Sequence, residues 1–308
     1  MKNRKYDIVG IGAATVDHFS LVTDFPSQES VQKAIAGEID GGGPVATALV
    51  TAAKLGATTA LIDSVGTDIN GTYILQGLRS AGVETKHVLV RKNRTSSSAV
   101  VLVRVTDGAR SIVYSPGGAE EPTAKEISEK LIAHTKFLHI NGRHFKASIR
   151  ACEHAKKHNT LISFDGGSHR YRDEMRPLVQ MSNIAIVSRN FAVEYTKVET
   201  MQAAGKALLL EGPAIVIITN GVQGSHLFTE DTDNYYQPAF THENVIDTTG
   251  CGDSYHGAFL FALCKKYDVK KAMRFASAVA AINAMTLGGR AGLPKLNEAK
   301  KFLAKVKG

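Results

Sequence analysis

Residues 245–263, VIDTTGCGDSYHGAFLFAL, place two glycines, a cysteine and two aspartates ahead of a long apolar run. YHGAFLFALC is apolar on nearly every side, so a helix here is central rather than amphipathic. A helix start presents unpaired N–H groups and the positive end of its dipole, and glycine lets a ligand close on that backbone. Gly250, Cys251 and Gly252 therefore predict an anion site. Asp253 is the exception inside it, because a carboxylate repels an anion unless it serves as a base. As a base it takes a proton from an attacking hydroxyl while the amides hold the phosphoryl group being transferred. Aspartate is also a favoured helix cap, and residue 253 read alone fits that role as well.

The rest of the chain supplies a frame for this corner. YDIVGIGAATVD (6–17) reads as a strand emptying into a glycine-rich turn, and 44–56 reads as a helix with proline at its start and glycine at its end. From 124 onward strands and helices alternate: helix 124–133, strand 136–140, helix 147–157, strands 161–165 and 183–188, helix 200–211 and strand 214–219. Continuous apolar strands separated by helices predict a parallel sheet buried on both faces. Two stretches stand outside the repeat. Residues 18–39 alternate apolar and polar side chains as half-exposed strands do, and 88–116 reads as a hairpin turning at Asp107-Gly108, where both residues need positive φ. The expected organisation is an α/β core of 1–17, 40–96 and 117–308, carrying a small β-sheet lid of 18–39 and 97–116.

Composition closes off several function classes. The chain is 44% apolar and 21% charged, and no apolar run approaches the roughly 18 residues of a membrane span. The net charge of +8 is spread over scattered lysines and arginines without an aromatic-interleaved stripe, which predicts a solvated surface and no nucleic-acid partner. Cys152, Cys251 and Cys264 form no CxxC pair, and with no signal peptide at the N-terminus they predict a reduced, cytoplasmic protein. His139, His144 and His169 lie near one another in sequence at spacings that match no metal site, so ordinary hydrogen-bonded histidines are expected.

DTTGCGD, Asp247 to Asp253, resembles the DTxGxGD signature of the ribokinase, or phosphofructokinase-B, family of carbohydrate kinases. GGGPVATALVTAAKLGA (41–57) is similar to the family's second signature, a glycine pair opening a small-residue helix, and the likeness runs in order from residue 6 to about 303. The resemblance implies a three-layer ribokinase-like core, a mostly parallel central sheet, a β-sheet lid, and transfer of the γ-phosphoryl group of ATP to a hydroxyl of a small sugar. It makes Asp253 the base and the backbone of Gly250, Cys251 and Gly252 the anion hole. Asp17 then binds sugar hydroxyls, Gly42 and Gly43 touch the sugar through backbone, and Thr47 stands where many members carry asparagine. Thr219, Gly221 and Gly224 of TNGVQG resemble the nucleotide loop, Ser277 lies where helices flank adenine, and Asp247 and Thr249 are candidates for a monovalent cation such as K+.

The family's Asn-x-x-Glu motif, which organises water around Mg2+, is missing: Ser188 and Phe191 occupy its places, and Asn190 and Glu194 have the wrong spacing. Mg2+ is then expected to ride mainly on the ATP phosphates and water. Arg143 could clamp a sulfonate, phosphate or carboxylate, and the nearest look is to the sulfofructose kinase branch, although Val31 and Tyr114 replace polar lid positions of that branch. The lid strands also predict a homodimer. GIGAAT (10–15) lacks the third glycine and the following helix of a dinucleotide fold, and no G-x-x-x-x-G-K-[ST] is present. A nucleoside kinase, or a catalytically silent sugar- or nucleotide-binding regulator, fits the same fold.

Overall fold

Strands that are apolar on both faces need helices above and below them, and the chain supplies both. The computed structural model describes residues 4–240 and 244–306. In chain order the first part comprises β1 (Tyr6–Ile11), β2 (Thr15–Val22), β3 (Ala36–Gly42), α1 (Pro44–Lys54), β4 (Thr59–Gly66), α2 (Ile69–Ser80), β5 (Val83–Glu84), β6 (Val88–Arg91), β7 (Ser98–Arg104) and β8 (Arg110–Ser115). Then follow α3 (Glu129–Ala133), β9 (Thr135–Ile140), α4 (Phe145–His158), β10 (Leu161–Asp165), α5 (Arg176–Met181), β11 (Ile184–Ser188), α6 (Arg189–Thr196), α7 (Met201–Leu210) and β12 (Ile215–Thr219). The chain closes with the hairpin β13 (Ser225–Thr229) and β14 (Thr232–Gln237), and with α8 (Cys251–Cys264), α9 (Val269–Asn283) and α10 (Leu296–Lys305).

The large sheet runs β14-β13-β12-β11-β10-β9-β1-β4-β5, with β6 also beside β4. It is parallel from β12 through β5 and antiparallel only at the β13 and β14 edge. Successive residues of its strands enter opposite cores. Ile8, Leu61, Ile186 and Ile217 join α1, α8 and α9 on one face, while Val9, Ile62, Val187 and Ile218 join α4 to α7 on the other. This gives the three-layer ribokinase-like α/β arrangement. The separate four-stranded sheet has the order β3-β2-β7-β8 and covers one end of the core.

Four local expectations change. Residue 17 does not extend the first core strand: β1 stops at Ile11, Ala14 N–H donates to the buried Asp63 carboxylate (2.7 Å), and the chain leaves the sheet, so Asp17 belongs to β2. The small sheet accordingly takes in 15–17 and 40–42, while 23–35 form no strand. Residues 88–91 form β6, parallel to β4, instead of opening the hairpin. Its turn spans 105–108, and only Gly108 (φ 65) is left-handed, because Asp107 uses its side chain to accept from Ala109 N–H and to pair with Arg104. The helix expected over 124–133 breaks, since Ser128 caps a new helix after a turn of 3-10 helix at Ala124–Glu126.

Candidate active site

The start of α8 is built on one left-handed residue. Gly250 has φ 74, and a Cβ on it would overlap the Gly289 carbonyl, so the turn accepts glycine alone. Of the amides there, Cys251 N–H points back to Thr248 O at 3.3 Å, while Ser254 N–H closes the first helical bond to Gly250 O. The N–H groups of Gly250, Gly252 and Asp253 have no partner among the described residues. The amide of Cys251, expected in the anion hole, thus points back to Thr248, and the amide of Asp253 is left open beside those of Gly250 and Gly252. Cys251 adds no thiolate chemistry, because burial pushes its thiol up to about 12.

Asp253 is half-buried beside these free donors, and its carboxylate has no hydrogen-bond partner among the described residues. Burial and the neighbouring Asp165 carboxylate hold its pKa above the usual range, opposed by Arg170, His256 and Arg110. A carboxylate with no internal partner and raised basicity is ready to accept a proton. Asp165, at the end of β10, accepts from Gly167 N–H (2.6 Å) and faces His256 Nε2 (3.3 Å) and Arg170 Nη2 (3.4 Å). Burial works against its charge, but His256 and Arg170 outweigh burial and hold the carboxyl well below the ordinary range. None of Asp165, Arg170, His256 or Arg110 was singled out from sequence. Their only linear signal is that His256 follows Asp253 by one helical turn.

Asp17, 7% exposed, accepts from Thr15 Oγ1, and its carboxyl is raised first by burial and also by the charges of Asp40 and Asp253. Its carboxylate lies directly on Gly42, where any Cβ would overlap it, and Gly43 (φ 88) is pressed equally against the Ala13 carbonyl. Gly42 is therefore needed to seat Asp17 against the end of β3, and Gly43 to bring the start of α1 against Ala13. Thr47 does not present a free hydroxyl: Arg290 Nε donates to its Oγ1 (3.0 Å), and Arg290 Nη2 donates to the Gly42 carbonyl. Arg290 is 9% exposed and arrives from the loop before α10, whose amides at 290 and 291 are held by Asp40 Oδ2 (2.7 and 3.0 Å).

Arg143 stacks on the Tyr114 ring at 4.4 Å, bringing a core loop against the lid. Both line a cavity of about 260 Å³ together with Ala13, Ser97, Glu121 and His144. Asn141, buried at the end of β9, keeps Nδ2 without a partner while its Oδ1 accepts from Arg143 N–H (3.2 Å). That unused donor, on a side chain packed against Gly12, marks a polar group that the sequence does not single out. Of the histidines, His144 is bonded to Asp63 (2.8 Å) and His169 to Asn190 (2.7 Å), as expected. His139 departs from the expectation: neither ring nitrogen has a partner, and burial followed by His256 pushes it down to about 3.

On the nucleotide side, Ser188 and Thr219 are paired in register at the carboxyl ends of β11 and β12, the edge where open α/β sheets bind ligands. Gly221 is exposed with open space above it, and Gly224 (φ 83) packs on Gln237 and Pro238. Ser277 Oγ reaches Pro238 O at 3.5 Å, so the expected nucleotide residues share one edge. Ser188 also caps α6 through Phe191 N–H (3.1 Å). Asp247 accepts from Thr249 N–H (2.8 Å) with one oxygen and from Gly288 N–H (3.0 Å) with the other, bracing the loop, while Thr249 Oγ1 is buried without a partner. Among the described residues no cluster of three histidine, cysteine or acidic side chains forms a metal site, and no helix is long and apolar enough to cross a membrane.

The chain is 26% identical over 325 residues to a 5-dehydro-2-deoxygluconokinase of Shouchella clausii, covering 98% of this chain and 97% of that protein. Its fold matches an Escherichia coli protein described as a ribokinase II, solved with ATP and Mg2+ (TM-score 0.84, 21% identity, 98% of this chain and 100% of that one). It also matches an adenosine kinase from Sinorhizobium meliloti (TM-score 0.88, 22% identity, 96% and 99% covered). A family model described as pfkB family carbohydrate kinase matches residues 5–296, nearly the whole length, and the chain belongs to that family.

Proposed function

We propose that this carbohydrate kinase uses Asp253 as the base that takes the proton from a sugar hydroxyl as that oxygen attacks the γ-phosphorus of ATP. A bond forms between the acceptor oxygen and phosphorus, the bond to the bridging oxygen breaks, and its electron pair leaves on ADP. The N–H groups of Gly250, Gly252 and Asp253 stabilise the phosphoryl oxygens, aided by the dipole of α8. Asp17 accepts hydroxyl hydrogens of the sugar, with Gly42, Gly43, Asn141 and Arg143 around it. Ser188, Thr219, Gly221, Gly224 and Ser277 hold the nucleotide. The observation that carries this reading is the half-buried carboxylate of Asp253, without an internal partner, beside three free amides.

Mg2+ supplies charge neutralisation on the triphosphate when ATP binds. The side chains present fit a metal carried by phosphates and water: Asn190 is engaged with His169 and Ser188 caps a helix, so neither is assigned as a ligand. In this reading Asp247 is a loop brace, and Thr249 Oγ1 is the group left for a monovalent cation. Ile39, Val100 and Val113 lie in one cross-strand row of the lid with exposures of 49, 49 and 71%, interrupted by the exposed His18 between Ile39 and Val100, a largely apolar row suited to pairing lids in a homodimer. ATP-to-ADP turnover is to be measured with sugars, 5-dehydro-2-deoxygluconate, sugar phosphates, sulfosugars and nucleosides. Turnover with a carbohydrate supports the reading. Saturable binding without any turnover would replace it with a silent regulator, and turnover confined to nucleosides with a nucleoside kinase.

A further inference from the structure

The tip of the β7–β8 hairpin rests on the loop that leads into α8. Thr248 Oγ1 donates to the Gly108 carbonyl (3.1 Å) and accepts from Arg110 Nη1 (2.9 Å), while Gly108 lies against the backbone of Ile246. The small sheet thus delivers a guanidinium to the residue two positions before Gly250. Two nearby arginines are tied to carboxylates: Arg170 faces Asp165 at 3.4 Å, and Arg104 of the same hairpin is tied to Asp24 (3.3 Å) and Asp107 (2.7 Å). Arg110 forms no ion pair among the described residues and is exposed, so four of its five donors are open. Its charge reaches both Cys251 and Asp253.

An unpaired guanidinium beside three free amides and a proton-accepting carboxylate is suited to the equatorial oxygens of a transferring phosphoryl group. Phosphoryl transfer needs little from the protein beyond position and charge, and arginine supplies both through its planar fork. The absence of an Asn-x-x-Glu pair from α6 leaves more of that charge to be met by side chains. We infer that Arg110 is a catalytic arginine carried by the lid, touching the γ-phosphoryl group of ATP when nucleotide and sugar are both bound. It moves no proton; Asp253 does that. The inference rests on the kinase reading above and adds to it that lid closure completes the phosphoryl site as well as covering the sugar.

Arg110→Gln and Arg110→Lys are to be compared with the parent in steady-state turnover at saturating ATP and sugar, with thermal melts as a folding control. The expected result is a fall in kcat of about 10²-fold or more for Arg110→Gln, partial recovery in Arg110→Lys, and partial rescue of Arg110→Gln by added guanidinium chloride at about 0.1 M. KM for sugar should stay within about threefold, whereas a lid latch alone would raise that KM, preserve kcat and show no rescue. Binding of ADP with aluminium fluoride, a phosphoryl mimic, should weaken in parallel with kcat. Arg110→Gln turning over within threefold of an active parent overturns the role of Arg110 and leaves the kinase reading standing. A parent without turnover on the whole panel overturns both.

Discussion

His144 offers a perturbation whose size follows from its surroundings. It lies at the start of α4 in left-handed geometry (φ 51), 6% exposed, with Nε2 2.8 Å from Asp63 Oδ1 and Nδ1 3.5 Å from Glu121 Oε1. Burial disfavours its charge, yet Asp63 and then Glu121 outweigh burial and raise the imidazole to about 9. Moving a histidine from 6.5 to about 9 corresponds to about 3 kcal/mol, at 1.36 kcal/mol for each tenfold change in proton affinity. Because the folded value is the higher one, this contribution is complete below pH 6.5 and is lost as pH rises through about 9. For 308 residues an unfolding entropy of about 2.1 cal/mol/K per residue converts it into about 5 °C of Tm. Melting the parent and His144→Gln from pH 6 to 10 should show an extra fall of about that size in the parent alone. Parallel curves, or an NMR titration of His144 near 6.5, would refute the reasoning.

Two further outcomes concern the site itself. Gly42→Ala puts a methyl group into the Asp17 carboxylate, and sugar KM should rise at least tenfold while ATP KM holds, as steady-state kinetics with each substrate varied will report. Since Asp253 must be ionised to act and its pKa is raised by burial and Asp165, kcat/KM should fall on acidification with a midpoint above the ordinary carboxylate value of 3.8. A pH–rate profile that stays flat down to pH 4 would remove Asp253 from that step.

Where chemistry sits in a short stretch, the sequence displayed it. Gly250, Gly252 and Asp253 share one turn, and the apolar run behind them predicts the buried helix that α8 forms. Continuous apolar strands, with Ile8 next to Val9 and Ile217 next to Ile218, predict a sheet covered on both faces, and both cores are present. The strand that carries Asp17 is not legible in the sequence, because the break at Gly12–Ala14 depends on the Asp63 side chain, 49 positions away. That Thr47 is engaged by Arg290 cannot be seen in the sequence, since the partner is 243 residues distant and nothing local hints at it. Arg110 and Arg170 gave no signal for the same reason: a surface arginine looks like any other until the fold shows which loop it meets. That the Cys251 amide turns to Thr248 O is likewise set by local backbone geometry that residue types do not encode.

The central claim is the work assigned to one carboxylate. Asp253→Asn keeps the shape of the α8 start and removes only the capacity to take a proton. With ATP affinity measured by calorimetry and turnover measured on the best sugar of the panel, kcat should fall about 10²-fold or more while the Kd for ATP changes less than about threefold. Equal kcat in variant and parent would contradict the account.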